Sequence, residues 1–180
     1  MPSFPLIRHP ATRCEAVRFF QVELLASGDE LLLRYSLEGD IAALSLPKPS
    51  PPRRADRLWE HTCFEAFVKS RPEDSGYQEF NFAPSGAWAA YCFDAYREGM
   101  AAVEREQPTI VLLRGQRLLE VDVRVKLDAL AADTADLRLG LAAVIEEQAG
   151  GLSYWACTHP TAKPDFHHPD SFVCPLRSPS

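Results

Sequence analysis

The sequence lacks any apolar run long enough to cross a membrane, because its longest apolar stretches are short and interrupted by charged residues. It also lacks an excess of positive charge: 19 Lys and Arg residues stand against 25 Asp and Glu residues, a formal net charge of −6. Proteins that bind nucleic acids rely on a basic surface, so we expect neither a nucleic acid nor a membrane as a partner. Residues 1–12 contain Arg8, His9 and prolines without an apolar core segment, which is unlike a secretory signal and predicts a cytoplasmic location.

Several chemical motifs are missing as well. The chain contains no Gly-rich phosphate loop and no G-x-S-x-G motif for a serine nucleophile. Its five cysteines are scattered without a C-x-x-C pair, which favours reduced thiols packed in a core over a disulfide framework. The composition is otherwise that of a globular protein, 46% hydrophobic and 24% charged over 180 residues. It excludes a disordered chain and predicts a single domain over residues 1–180.

Short segments in which apolar and polar residues alternate dominate the chain. In Leu119–Lys126 every second residue is apolar and the residues between are charged, which is typical of a half-buried strand. Further strands are predicted at Ala16–Leu25, Glu30–Leu37, Trp59–Lys69, Tyr77–Phe82, Trp88–Phe93, Thr109–Leu113, Leu137–Ile145 and Leu152–Thr158. This spacing predicts an all-β fold, an antiparallel β-sandwich of the jelly-roll kind. At most one or two short helical segments are expected, at Tyr96–Gln107 and Leu127–Ala132, and the proline-rich stretch 46–52 should be an extended surface loop.

The most informative segments are LWEHTCFEAFV (58–68) and YQEFNF (77–82). If both are strands, their core-facing residues are Phe64, Ala66, Val68, Phe80 and Phe82. The opposite face then carries Trp59, His61, Cys63, Glu65, Tyr77, Glu79 and Asn81. Aromatic rings that cover C–H groups, beside carboxylates and an amide that pair with hydroxyls, suit a polyhydroxylated ligand. We therefore predict that Trp59, Glu65, Glu79 and Asn81 bind the ligand, with Trp88 and Arg97 extending the same patch.

A second interpretation of these residues remains open. The face would then be an ordinary solvent-facing one, with its carboxylates paired to Arg57 or Arg97 and Trp59 packed under a loop. Trp88 on its own is better explained by core packing, since indole side chains are generally well buried. A hydrolase would need two carboxylates at a fixed separation across a cleft, which neighbouring strand positions do not indicate, so we expect no enzyme.

Two short residue pairs raise the alternative of a metal site. His61 and Cys63, and likewise Cys157 and His159, are two residues apart, so each pair lies on one face of a strand. On neighbouring strands they would supply two imidazoles and two thiolates, a set that zinc accepts. Because the spacing matches no recognisable zinc module, we expect no metal and no cofactor.

The tail from Thr158 onward is interrupted by prolines and carries a polar cluster of Lys163, Asp165, His167 and His168 around Phe166. Long irregular segments in compact domains are often functional. One hypothesis makes the tail a lid over the sheet face, which adds Lys163 and His167 to the binding residues. The other has the phenylalanines tuck the end of the chain into place, and the two are compatible.

Three stretches resemble the DOMON-like bacterial proteins related to family 9 carbohydrate-binding modules: LWEHTCFEAFV, YQEFNFAPSGAWAAYCFDAYREGM and THPTAKPDFHHPDSF. The resemblance implies an antiparallel β-sandwich that binds a ligand on one concave sheet face, usually a sugar and in some relatives haem. It implies that the ligand-facing residues are Trp59, Glu65, Glu79, Asn81, Arg97 and Trp88. Haem-binding relatives use methionine and histidine as axial ligands, whereas this chain has only Met1 and Met100.

These observations together predict a non-catalytic domain that binds a small carbohydrate or glycoconjugate on one sheet face. Two alternatives from other functional classes remain. A haem- or metal-binding redox domain would use the histidine and cysteine pairs. A protein-interaction scaffold would bind no small ligand and would expose an apolar patch instead.

Overall fold

The computed structural model describes residues 1–27, 29–127 and 137–176. Within these ranges the chain forms fourteen β-strands, short 3-10 turns at Ile41–Ala43, Leu58–Glu60 and Pro169–Ser171, and no α-helix. In chain order the strands are β1 (Ser3–Pro5), β2 (Ile7–Arg8), β3 (Val17–Ser27), β4 (Glu30–Gly39), β5 (Arg53–Arg54), β6 (Cys63–Lys69), β7 (Tyr77–Phe82), β8 (Ala87–Phe93), β9 (Ala101–Ala102), β10 (Thr109–Arg114), β11 (Leu118–Lys126), β12 (Arg138–Glu146), β13 (Leu152–Ala156) and β14 (Cys174–Pro175). A search of these residues finds no helix long and apolar enough to span a membrane.

The strands form two sheets that pack face to face. The five-stranded sheet has the order β1-β3-β4-β11-β10. The nine-stranded sheet has the order β2-β13-β12-β6-β7-β8-β5, with β14 beside β12 and β9 beside β8. Apart from the short parallel pair of β5 and β8, the strand pairs among the described residues are antiparallel. The predicted fold class, an antiparallel β-sandwich, is confirmed.

Strand β11 shows how alternation in the sequence builds the core. Leu119, Val121, Val123 and Val125 are each at most 3% exposed, whereas the charged residues between them lie partly or fully in solvent. The strand pairs with β4 along its whole length, so that Val121 lies opposite Tyr35, which is also fully buried. Apolar residues from both sheets meet in one cluster between them, and their removal from water is the main force that holds the sandwich together.

The nine-stranded sheet differs from the other because both of its faces are covered. All seven residues of β6 are buried. The predicted core positions of β6 and β7, such as Phe64 and Phe80, face the five-stranded sheet. On the opposite side, here called the outer face, Phe67 and Tyr77 contact Phe166 and Phe172 of the tail segment, residues 158–173. The outer face is therefore the place where the sheet and the tail segment meet.

Two predicted elements differ from the structure: a strand that starts later than predicted and a helix that does not form. The predicted strand 59–69 begins only at Cys63, because Arg57 adopts a left-handed φ of 61° and the chain closes a 3-10 turn before the strand starts. Residues 96–107 form no helix, because Arg97 and Gly99 have φ values of 58° and 67°, which a right-handed helix does not accommodate. The loop at 46–52 is free of strand and mostly exposed, as expected, whereas the predicted turn at 127–132 falls almost entirely outside the described residues.

Candidate functional site

A cleft of about 320 Å³ lies on the outer face of the nine-stranded sheet. Its floor comes from the sheet and its walls from the 3-10 turn at Leu58–Glu60, the turn after β8 and the tail segment. The residues that line it are Trp59, Glu65, Glu79, Phe93, Arg97, Met100, Val144, Tyr154, Pro164, Phe166 and His167. The volume falls at the lower end of the range for small-molecule sites, about 300–1,000 Å³. Of the predicted binding residues, Trp59, Glu65, Glu79, Arg97 and His167 therefore share one cleft.

Two buried carboxyl groups form the polar part of the floor. Glu65 on β6 and Glu79 on β7 are 3% and 4% exposed, and both lie on the outer face because side chains alternate along a strand. Asn81, which is opposite Glu65 in the register, donates from Nδ2 to Glu79 Oε1 at 2.7 Å. Glu65 Oε1 is buried and has no hydrogen-bond partner among the described residues. Because buried acceptors are nearly always satisfied, this oxygen marks a place for a donor from a ligand or a water.

Burial also sets the protonation of the two carboxyl groups. It raises the pKa of Glu65 well above its ordinary value, and the charge of Glu79 raises the pKa further. It raises the pKa of Glu79 to about 7, against the opposing effects of the Asn81 hydrogen bond and the Arg97 charge. Desolvation disfavours the ionised form of a carboxyl group, and a second carboxylate nearby adds repulsion. The pair therefore holds protons at a pH where surface carboxyl groups are fully ionised.

His167 closes the cleft from the tail segment. Its Nδ1 lies 2.8 Å from the hydroxyl of Tyr77, and its Nε2 lies 3.8 Å from Glu79 Oε2. Burial and then the charge of Arg97 lower the pKa of His167 to about 4, against the effect of Asp165. The imidazole is therefore neutral at pH 7, and its approach to Glu79 is not an ion pair.

Arg97 connects the turn after β8 to the tail segment. Its left-handed backbone directs the amide toward Tyr77, whose hydroxyl accepts a hydrogen bond from it at 3.2 Å. The guanidinium donates to Asp165 Oδ1 at 2.8 Å, and the Tyr96 hydroxyl donates to the other oxygen of the same carboxylate. Arg97 thus lines the cleft and also fixes the segment that carries His167.

Aromatic side chains form the apolar walls. Trp59 is half-buried and reaches the cleft from the 3-10 turn, with its ring edge-on to Tyr91 at 5.9 Å. Tyr154 of β13 contacts Phe166 of the tail segment at 6.0 Å between ring centroids. Sequence reasoning missed Tyr154 and its neighbour on β12, Val144, although a signal existed. Both lie on strands that were predicted, and along those strands they alternate with the residues that fill the core, which places them on the outer face.

Three predicted binding residues do not reach the cleft. Asn81 lies beneath it and is fully buried, so that it positions Glu79. Lys163 is exposed and stands outside the lining. Trp88 requires a correction, because its position on β8, opposite Phe82, turns the indole into the core between the sheets. Its Nε1 is buried there without a hydrogen-bond partner among the described residues.

The proposed pairs of metal ligands are not brought together. Strand β12 lies between β6 and β13, so the condition of neighbouring strands fails. His61 instead contacts Glu146 at 2.9 Å, and His159 contacts the carbonyl oxygen of Ile7 at 2.8 Å. Cys157 lies 3.2 Å from the sulfur of Cys174. Over the part of the chain that the structure describes, no three His, Cys, Asp or Glu side chains are grouped to hold a metal ion.

Comparison with known proteins places this arrangement in a structural context. No protein-family model and no curated protein matches the chain. Among solved structures, a protein of Bacteroides uniformis for which carbohydrate binding has been proposed matches with a TM-score of 0.59 and 16% identity, over 96% of this chain and 84% of that one. A family 9 carbohydrate-binding module of Caldicellulosiruptor kristjanssonii, solved with cellotriose, matches with a TM-score of 0.56 and 9% identity, over 96% and 86%. The chain therefore shares its fold with a carbohydrate-binding module of family 9.

Proposed function

We propose that this protein is a non-catalytic domain that binds a small carbohydrate in the cleft on the outer face of the nine-stranded sheet. The observation that carries the proposal is the unpartnered, buried Oε1 of Glu65 in a cleft with a half-buried tryptophan. Sugars present C–H groups on the faces of the ring and hydroxyl groups around its edge. A cleft with aromatic walls and a floor of buried acceptors offers a partner to each.

Each residue then has a distinct task. Trp59 packs against the apolar face of the sugar, while the carboxyl groups of Glu65 and Glu79 accept hydrogen bonds from hydroxyls. Asn81 holds Glu79 in place from below at 2.7 Å. Arg97 fixes the tail segment through Asp165, which brings His167 over the cleft.

The position of the carboxyl pair supports binding over hydrolysis. A glycosidase places its two carboxyl groups on either side of the bond that it cleaves. Glu65 and Glu79 instead lie together on the floor of the cleft, on the adjacent strands β6 and β7. The fold shared with a module that was solved with cellotriose supports a carbohydrate as the ligand.

The test is a titration by calorimetry with glucose, cellobiose and cellotriose, with a thermal-shift screen of other soluble sugars beside it. A ligand at a hundredfold its Kd adds about 2.7 kcal/mol of stability, which raises the Tm of a chain of this size by about 5–10 °C. Trp59→Ala should abolish the shift. Phe19→Ala, which removes an aromatic ring that is 45% exposed on β3, is the matched control and should retain it. A shift that survives Trp59→Ala, or no shift with any sugar, contradicts the proposal.

A further inference from the structure

The cleft carries more acid than base, and this imbalance bears on the class of carbohydrate that the proposed function requires. Glu65 and Glu79 lie on the floor and Asp165 lies at the rim, against one guanidinium, that of Arg97. Arg97 pairs with Asp165 at 2.8 Å and is half exposed. The rim charges therefore offset one another, while the floor retains two carboxyl groups.

The groups that face the floor from each surrounding element do not offset this acidity. From the tail segment comes His167, which is neutral at pH 7 because burial lowers its pKa to about 4. From β13, β8 and β6 come Tyr154, Tyr91 and the buried thiol of Cys63, none of which is a cation. Among the described residues no lysine or arginine makes an ion pair with Glu65 or Glu79. Buried carboxyl groups that lack an ion-pair partner favour a ligand that supplies the positive charge.

We propose that the cleft binds a sugar that carries a protonated amino group, with the ammonium between Glu65 and Glu79 and the sugar ring against Trp59. The ammonium has three donors, which suit the free Oε1 of Glu65 and the second oxygen of Glu79. The aromatic walls also favour an organic cation, because the ring faces of Trp and Tyr attract ammonium groups. A calcium ion would need six to eight oxygen ligands, whereas these two side chains are the carboxylates of the floor.

The proposal makes binding depend on protons. An ammonium stabilises the ionised carboxylates, so its arrival must displace the protons that burial retains on the pair. A neutral sugar needs no such displacement. Proton release therefore separates an amino sugar that contacts the carboxyl pair from a sugar that only packs against Trp59.

The experiment is calorimetry with matched sugars at pH 6, where the amine is charged and Glu79, with a pKa of about 7, is mostly protonated. The probes are glucosamine, galactosamine and mannosamine, each beside its neutral parent sugar and its N-acetyl form. We expect at least one amine to bind about tenfold to a hundredfold more tightly than both neutral partners. Titrations in two buffers of different ionisation enthalpy should show proton release for that amine alone.

Variants connect the preference to the carboxyl pair. In Glu65→Gln the new side chain has the shape of the protonated acid but cannot ionise, so the ratio of the Kd of the neutral parent sugar to that of its amine should fall to about one. Glu38→Gln, on the exposed side of β4, is the matched control and should leave the preference intact. Equal binding of amines and neutral sugars would overturn this inference and leave the proposed function standing. Binding of none of the nine sugars would overturn this inference, and the proposed function would fall with it only if cellobiose, cellotriose and the screened sugars also failed to bind. Competition by calcium for the same site would overturn the ammonium assignment.

Discussion

Replacing Glu79 with glutamine should stabilise the protein at neutral and alkaline pH. Burial, its largest cause, raises the pKa of this carboxyl group from 4.5 to about 7 in the folded state. The folded protein therefore holds the proton more tightly than the unfolded chain does. The tighter proton binding contributes a part of the folding stability that is fully present below pH 4.5 and is lost as the pH rises through about 7. Complete ionisation lowers the free energy of unfolding by about 3 kcal/mol.

Glutamine removes that loss because it does not ionise, and its amide oxygen still accepts the hydrogen bond from Asn81. Glu79→Gln should match the wild type at pH 4 and exceed it by up to about 3 kcal/mol at pH 8, a rise in Tm of about 6–12 °C. Urea unfolding of both proteins from pH 4 to pH 8, without ligand, measures the difference. Glu38→Gln on the exposed side of β4 is the control. If the free energies of unfolding of Glu79→Gln and the wild type differ by the same amount at every pH, the claim that ionisation of the buried Glu79 destabilises the fold is refuted.

Three further predictions concern the frame of the site. Gly39→Ala should lower the free energy of unfolding in urea by more than about 2 kcal/mol, because an added Cβ would lie 1.9 Å from the carbonyl oxygen of Ala16. Phe172→Ala should loosen the tail segment, which that ring ties to the outer face, and faster amide exchange over residues 158–173 will report it. Mild oxidation with diamide should join Cys157 to Cys174, whose sulfurs lie 3.2 Å apart. The disulfide would close the loop between residues 157 and 174 and should raise the free energy of unfolding by about 3 kcal/mol. Cys174→Ser should abolish this increase.

The strand framework could be predicted from the sequence because alternation has a direct physical cause. Where one face of a strand meets the core and the other meets water, as in Leu118–Lys126, the sequence must alternate. The short strands such as Ile7–Arg8 could not be predicted, since two residues contain no period. The supposed helix at 96–107 was wrong because composition does not show that Arg97 adopts a left-handed φ.

The candidate site could be predicted only in part, because alternation shows which residues of a strand share a face and nothing about residues outside strands. Alternation within β6 and β7 placed Glu65, Glu79 and Asn81 on one face correctly. It placed Trp59 there for the wrong reason, since that residue reaches the cleft from a 3-10 turn. Trp88 was added to the patch because it follows β7 closely in the chain, whereas the structure confirms the core packing expected for Trp88 alone. Strand β8 is buried along both faces, so its sequence does not reveal which side meets the other sheet. The depth at which the carboxyl groups lie depends on the tail segment, which is far away in the chain.

The deep burial of Glu65 and Glu79 is the strongest argument that the cleft is a site and not a gap in packing. Two leucines at positions 65 and 79 would fill the same buried positions on the outer face, and the protein would lose no stability above neutral pH. The chain instead keeps two carboxyl groups there, one with a free oxygen, and supports the other with a fully buried amide. Folding gains nothing from this arrangement, because the ionised pair destabilises the folded state. A ligand that donates hydrogen bonds to both groups would offset this loss of free energy, which is what the proposed function requires of the floor.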